Sequence, residues 1–102
     1  MSRLEVLQSM VAQNPKDSFS RYGLAMEYSN RGEVETALAE FGKLLAEHPD
    51  YTAGYFMAAQ TLAKASRVEE AKKMLGDGIA SAQRTGNGHA LSEMEGMLAD
   101  LG

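Results

Sequence analysis

Residues 18–51 read SFSRYGLAMEYSNRGEVETALAEFGKLLAEHPDY, and the second half of this stretch decides the fold. Within 33–47, Val34, Ala37, Leu38, Phe41, Leu44 and Leu45 recur at i, i+3, i+4, i+7, i+10 and i+11. That spacing puts all six on one face of an α-helix. Glu33, Glu35, Glu40 and Glu47 fall off the stripe. The first half is apolar on two sides. Leu24, Ala25 and Tyr28 form one stripe, and Phe19, Tyr22 and Met26 form another. A helix apolar nearly all round is flanked by neighbours on two sides. Gly32 separates the two segments, and His48-Pro49-Asp50 ends the second.

Working outward, residues 67–83 repeat the one-sided design with Val68, Ala71, Leu75, Ile79 and Ala82. Ser66-Arg67-Val68-Glu69 reads as a capping box at its start, and Glu69 with Lys73 as an i, i+4 ion pair. Residues 51–64 repeat the two-sided design, with Tyr55, Ala58, Ala59 and Leu62 against Phe56, Met57 and Ala63. Leu4, Leu7, Met10 and Val11 mark a helix near the N-terminus; Leu91, Met94, Leu98 and Leu101 mark one near the C-terminus. Asn14-Pro15 and Thr85-Gly86-Asn87-Gly88 supply the remaining breaks. No segment alternates with the period of a strand. The expected fold is all-α, with helices near 3–13, 17–30, 33–47, 51–64, 67–84 and 88–100.

Sliding the chain against itself reveals a period of 34 residues. It pairs Pro15 with Pro49, Leu4 with Leu38, Leu7 with Phe41, Tyr22 with Phe56, Ala25 with Ala59, Ala37 with Ala71 and Phe41 with Leu75. A helix–turn–helix unit of that length resembles the tetratricopeptide repeat (TPR). With Ser18 as the first position, Leu24, Ala25, Tyr28, Gly32, Ala37, Phe41 and Pro49 match the family pattern. The next unit keeps Tyr55, Ala59 and Ala71. Arg21 stands where the first unit would carry an aromatic; Leu62, Ser66 and Gln83 replace a Tyr, a Gly and a Pro. The resemblance implies a short α-solenoid of antiparallel helix hairpins forming a right-handed superhelix. Residues 1–102 would form one TPR-like domain: 3–15 as the second helix of a truncated unit, 18–51 and 52–85 as repeats, and 88–101 as a C-terminal capping helix.

The resemblance also implies a site. In the family, the first helices of successive units line the concave face, where partner segments lie. The matching positions are Phe19, Tyr22, Gly23, Met26, Ser29 and Asn30, then Ala53, Phe56, Met57, Gln60, Ala63 and Lys64. Phe19, Tyr22, Met26, Ser29, Asn30, Phe56, Met57, Gln60 and Lys64 are the expected partner-binding residues. Met adapts to irregular partners, and aromatics supply large contact area. Two other readings compete. Phe19 and Tyr22 would pack under the N-terminal helix and Phe56 and Met57 under the last one, or the strip would be a dimer interface. The Lys, Asn and Arg clamp with which some family members hold acidic tails is not matched, because Tyr22, Met26 and Met57 stand at its positions.

Other function classes fall away on composition. The chain has 102 residues, no Cys and a net charge of −4. There is no disulfide framework, no thiolate metal site and no cysteine nucleophile. The acidic balance argues against nucleic acid and anionic membrane. His48 and His89 are far apart and sit at a helix end and a helix start. The Gly-rich stretch 85–88 follows no strand and lacks a phosphate-loop Lys. No unbroken apolar run suits a secretory signal or a membrane span. The expectation is a cytoplasmic, non-catalytic protein–protein interaction module with no cofactor and no metal. It would act as an adaptor or assembly factor on an apolar or amphipathic peptide or helix of another protein. The alternative is a structural subunit of a homodimer or larger complex.

Overall fold

A computed structural model describes residues 1–102 as six helices: α1 Arg3–Gln13, α2 Ser18–Asn30, α3 Val34–Glu47, α4 Thr52–Lys64, α5 Val68–Thr85 and α6 Gly88–Leu101. There is no strand. Helices α2 to α5 each begin one residue later than the sequence pattern placed them, because Asp17, Glu33, Tyr51 and Arg67 are the caps.

Three helices end in the same way. Gly32, Ser66 and Gly86 adopt left-handed backbone at φ 77, 62 and 67°. The N–H of the following residue then donates to the carbonyl five residues back. Glu33 reaches Tyr28 at 3.0 Å, Arg67 reaches Leu62 at 2.9 Å and Asn87 reaches Ala82 at 2.9 Å. These bonds satisfy carbonyls that a helix end leaves without partners. Ser66 therefore terminates α4 and does not start α5. The expected capping box is absent: the cap of α5 is Arg67, with no side-chain cap bond. The expected Glu69–Lys73 pair is absent too: Glu69 pairs with Lys72 at 3.3 Å, one residue nearer, and Lys73 faces Asp77 at 3.8 Å. A serine in left-handed backbone carries a steric cost that glycine avoids. Ser66→Gly is expected to stabilise the protein by about 0.5–1 kcal/mol. Urea denaturation measures this, and a loss of stability would contradict it.

The core divides into two linked clusters. Ala25, Ala37, Phe41, Leu44 and Ala58 form one; Tyr55, Ala59, Leu75, Ala82 and Met94 form the other. Ala25, Ala37, Ala59 and Ala71 are fully buried, and their small side chains let paired helices approach closely. The chain folds as hairpins α2/α3 and α4/α5, with α1 packed on α2 and α6 packed on α5 and α4.

Polar ties repeat with the same period. Tyr55 Oη donates to the Pro49 carbonyl at 2.7 Å. Arg21, the counterpart of Tyr55, donates from Nη2 to the Pro15 carbonyl at 3.1 Å. Its Nη1 lies 2.6 Å from Glu40, with both side chains only 12% exposed. A buried ion pair thus replaces the aromatic at this position. His48 donates from Nε2 to the Lys16 carbonyl at 2.8 Å, and Arg84 pairs with Asp50 at 2.7 Å. The first two bonds tie the start of a hairpin, and the last two its end, to the turn that precedes it.

The carboxylate of Asp17 caps α2. It accepts from the hydroxyl of Ser20 and from its backbone N–H, the latter at 3.0 Å. These bonds, with the nearby His48, hold its carboxyl below the usual carboxylate range. A depressed folded-state pKa contributes stability above the unfolded value, about 3.9, and loses it as pH falls through the folded one. Asp17→Asn keeps a capping oxygen without that titration. Its stability is expected to fall less between pH 5 and pH 2 than that of the parent, as measured by denaturation at each pH. A parallel decline would contradict the assignment.

Candidate protein-binding groove

The curvature of the chain follows from which helices touch. Helix α2 approaches α4, and α4 approaches α6, whereas no Cα pair of α3 and α5 lies within 8 Å. The first helices therefore line the inside of the bend and the second helices splay on the outside. The slab is 19 Å through its thinnest dimension, about two helix diameters.

The nine residues expected at the groove separate into three groups along this inner layer. Tyr22, Met26 and Met57 are half-buried and rest on the first core cluster. Tyr22 also tilts against Tyr51, with ring centroids 5.2 Å apart. Burial raises the Tyr22 phenol above its ordinary value. Phe19 stands one turn before Tyr22 and is 72% exposed, so it does not pack under α1.

Ser29, Asn30 and Lys64 meet where α2 and α4 end, around a depression of about 330 Å³. Thr61 Oγ1 donates to the Met57 carbonyl at 2.8 Å. Its single proton is thereby used, so Ser29 Oγ donates to Thr61 at 2.7 Å. Ser29 is left with acceptor capacity only. Asn30 and Lys64 are exposed, and no carboxylate lies within ion-pair distance of Lys64.

Phe56 and Gln60 face the last helix. With Ser92, Glu93, Gly96, Met97 and Asp100 they line a cleft of about 460 Å³ between α4 and α6. Phe56 packs on the second cluster, so it is a half-buried wall and not a free side chain. Gly23 matches a groove position but belongs to helix packing: a Cβ there would lie 3.0 Å from Leu7 of α1.

The wall supplied by α6 was not legible from the repeat. Helix α5 runs for 18 residues where α3 runs for 14, so the 34-residue offset is lost before α6 begins. The spacing of Glu93, Gly96, Met97 and Asp100 at i, i+3, i+4 and i+7 was the available signal. No group of three His, Cys, Asp or Glu side chains is gathered so as to hold a metal ion. No helix is long and apolar enough to cross a membrane.

The sequence model of the tetratricopeptide repeat matches residues 30–94. This chain belongs to the tetratricopeptide repeat family. The TPR protein is 26% identical to a TPR repeat-containing protein of Pseudomonas aeruginosa, over 96% of this chain and 93% of that one. It is 30% identical to a tetratricopeptide repeat domain protein of Salinibacter ruber whose solution structure superposes with a TM-score of 0.80, covering 86% and 89% of the two chains. Its fold is also shared with PcrH in complex with the chaperone binding region of PopD. That pair is 16% identical with a TM-score of 0.88, covering 96% of this chain and 74% of PcrH.

Proposed function

We propose that this TPR protein is a non-catalytic interaction module that holds a segment of another protein against the inner face of α2, α4 and α6, as an adaptor or assembly factor. The observation that carries this reading is Phe19. It is a large aromatic, 72% exposed, beside the half-buried Tyr22 and Met26, and nothing in the molecule covers it. Removing such an anchor from water in a complex contributes about 1–2 kcal/mol, and a few anchors suffice for a specific contact. PcrH, which shares the fold, is seen in complex with a segment of PopD. The TPR2B domain of yeast Sti1, also of this fold, is seen in its pHsp70 complex.

The chemistry of the titratable groups supports the non-catalytic reading. The shifted groups are helix-cap acids (Glu5, Asp17), ion-paired surface groups (Arg67, Glu70 and Arg84) and the neighbouring Tyr22 and Tyr51. Hydrogen bonding or half-burial accounts for each shift, and none of these groups forms a nucleophile–base pair in a cleft.

A photocrosslinking residue placed at Phe19, and separately at Gly42 on the outer layer, tests the proposal in native extract. The expected result is a discrete protein adduct from position 19 and none from position 42. Phe19→Glu, which disturbs no packing, should reduce capture through a crosslinker at Met26 at least tenfold with helicity unchanged. Adducts from the outer position alone, or capture indifferent to Phe19→Glu, would overturn it.

A further inference from the structure

The net charge of −4 is unevenly distributed. Residues 88–102 contain Glu93, Glu95 and Asp100 and neither Lys nor Arg, whereas residues 1–87 are within one charge of neutrality. On α3 and α5 the acids are mostly paired: Glu35 and Glu70 with Arg67, and Glu40 with Arg21. On α6 they are not. Glu93 has His89 at 3.3 Å, and no Lys or Arg nitrogen lies within 4 Å of Glu93 or Asp100.

These two carboxylates sit where the apolar face meets its wall. Seven residues apart on one helix, they share a face and are separated by two turns, about 10 Å. Gly96 lies between them, and a Cβ built there meets nothing within 4 Å. The result is an open notch in the α4–α6 cleft, with Phe56 and Met97 in its lining and an acid toward each end. Lys64, on α4, lines a different depression beside Asn30 and makes no ion pair with either carboxylate.

A surface of this kind fits one type of side chain. A long aliphatic stem would lie along Phe56 and Met97 while its cationic head reached a carboxylate. An acidic segment would meet repulsion at the same place. We propose that the segment held on the inner face is basic as well as apolar, with a Lys or Arg entering the α4–α6 cleft between Glu93 and Asp100. This rests on the inner face being the partner-binding surface, and it specifies the partner's chemistry.

The test is selection of a random 16-residue peptide display library on the immobilised full chain, followed by fluorescence anisotropy on the selected peptides. The expected peptides carry Lys or Arg three or four residues from Leu, Ile or Phe. Their affinity should fall at least tenfold against Glu93→Gln/Asp100→Asn, and equally when the basic residue of the peptide is replaced by norleucine. Gly96→Leu should cause the same loss by filling the notch, with thermal stability unchanged or raised. Selection of apolar peptides without basic enrichment, or binding unaffected by these substitutions, overturns the cationic preference and leaves the inner-face reading standing. Failure to select any peptide whose binding depends on Phe19 overturns both.

Discussion

Replacing Gly78 with alanine is expected to destabilise the protein by about 2 kcal/mol, the cost of overpacking a tight core. In an open helix position the same exchange stabilises by about 1 kcal/mol, because alanine is the better helix former. The sign reverses here because of what Gly78 touches. A Cβ would lie 2.5 Å from Met94 Sδ and 2.7 Å from Tyr55 Cβ. The thioether can rotate away, but Tyr55 Cβ is fixed to the backbone of α4. Either α5 moves off α4 or the fully buried Met94 loses its place. The repeat explains why a glycine stands at this position. Its counterpart one unit earlier is Leu44, also fully buried, and the second unit exchanges that bulk for Met94 arriving from α6. Gly42→Ala and Gly76→Ala are the controls, since nothing lies within 4 Å of their Cβ positions. Urea denaturation followed by helicity should show both controls stabilised and Gly78→Ala weakened. A Gly78→Ala protein as stable as the controls would contradict the packing described for α4, α5 and α6.

Glu40→Met is expected to cost about 3 kcal/mol, because it leaves the guanidinium of Arg21 in a largely buried place without its carboxylate. The double substitution Arg21→Tyr/Glu40→Met should return to within about 1 kcal/mol of the parent, since well-packed apolar groups often replace a buried ion pair at no loss. The second repeat already contains that solution. Tyr55 stands at the position of Arg21 and Met74 at that of Glu40, with Tyr55 Oη bonded to the Pro49 carbonyl at 2.7 Å. Arg21→Tyr would offer the same bond to Pro15. A denaturation series on the parent, both single variants and the double variant gives the coupling. Additive losses would show that the two repeats are not equivalent environments at this position.

These two sites also mark how far the sequence could be read. The helices and their pairing followed from apolar spacing and from the 34-residue period, because one-sided and two-sided stripes record how many neighbours a helix has. Arg21 was visible as a departure from the pattern, but Glu40 looked like an ordinary off-stripe acid. Nothing local in a sequence shows that two charges 19 residues apart will meet in a partly dry space. Ser66 misled for a related reason. Ser-x-x-Glu matches a helix start, yet the same residue sits one period after Gly32 and takes its left-handed backbone. Comparing the repeats with each other was the better guide than the local motif. In the candidate site, the floor residues were named from their repeat positions, and the structure sorts them by burial. The wall on α6 escaped because the longer α5 breaks the period that would have aligned it.

The central claim is that the inner face of α2, α4 and α6 is where this TPR protein takes up its partner, and its methionines report on that directly. Methyl spectra of the full chain, labelled at Met and titrated with a peptide selected on it, separate the surfaces in one experiment. Met26, Met57 and Met97 are expected to shift or broaden as the peptide binds, while Met10 on α1, 42% exposed, and the fully buried Met94 are not. Saturable shifts at Met10 with none at Met26, Met57 and Met97 would contradict it.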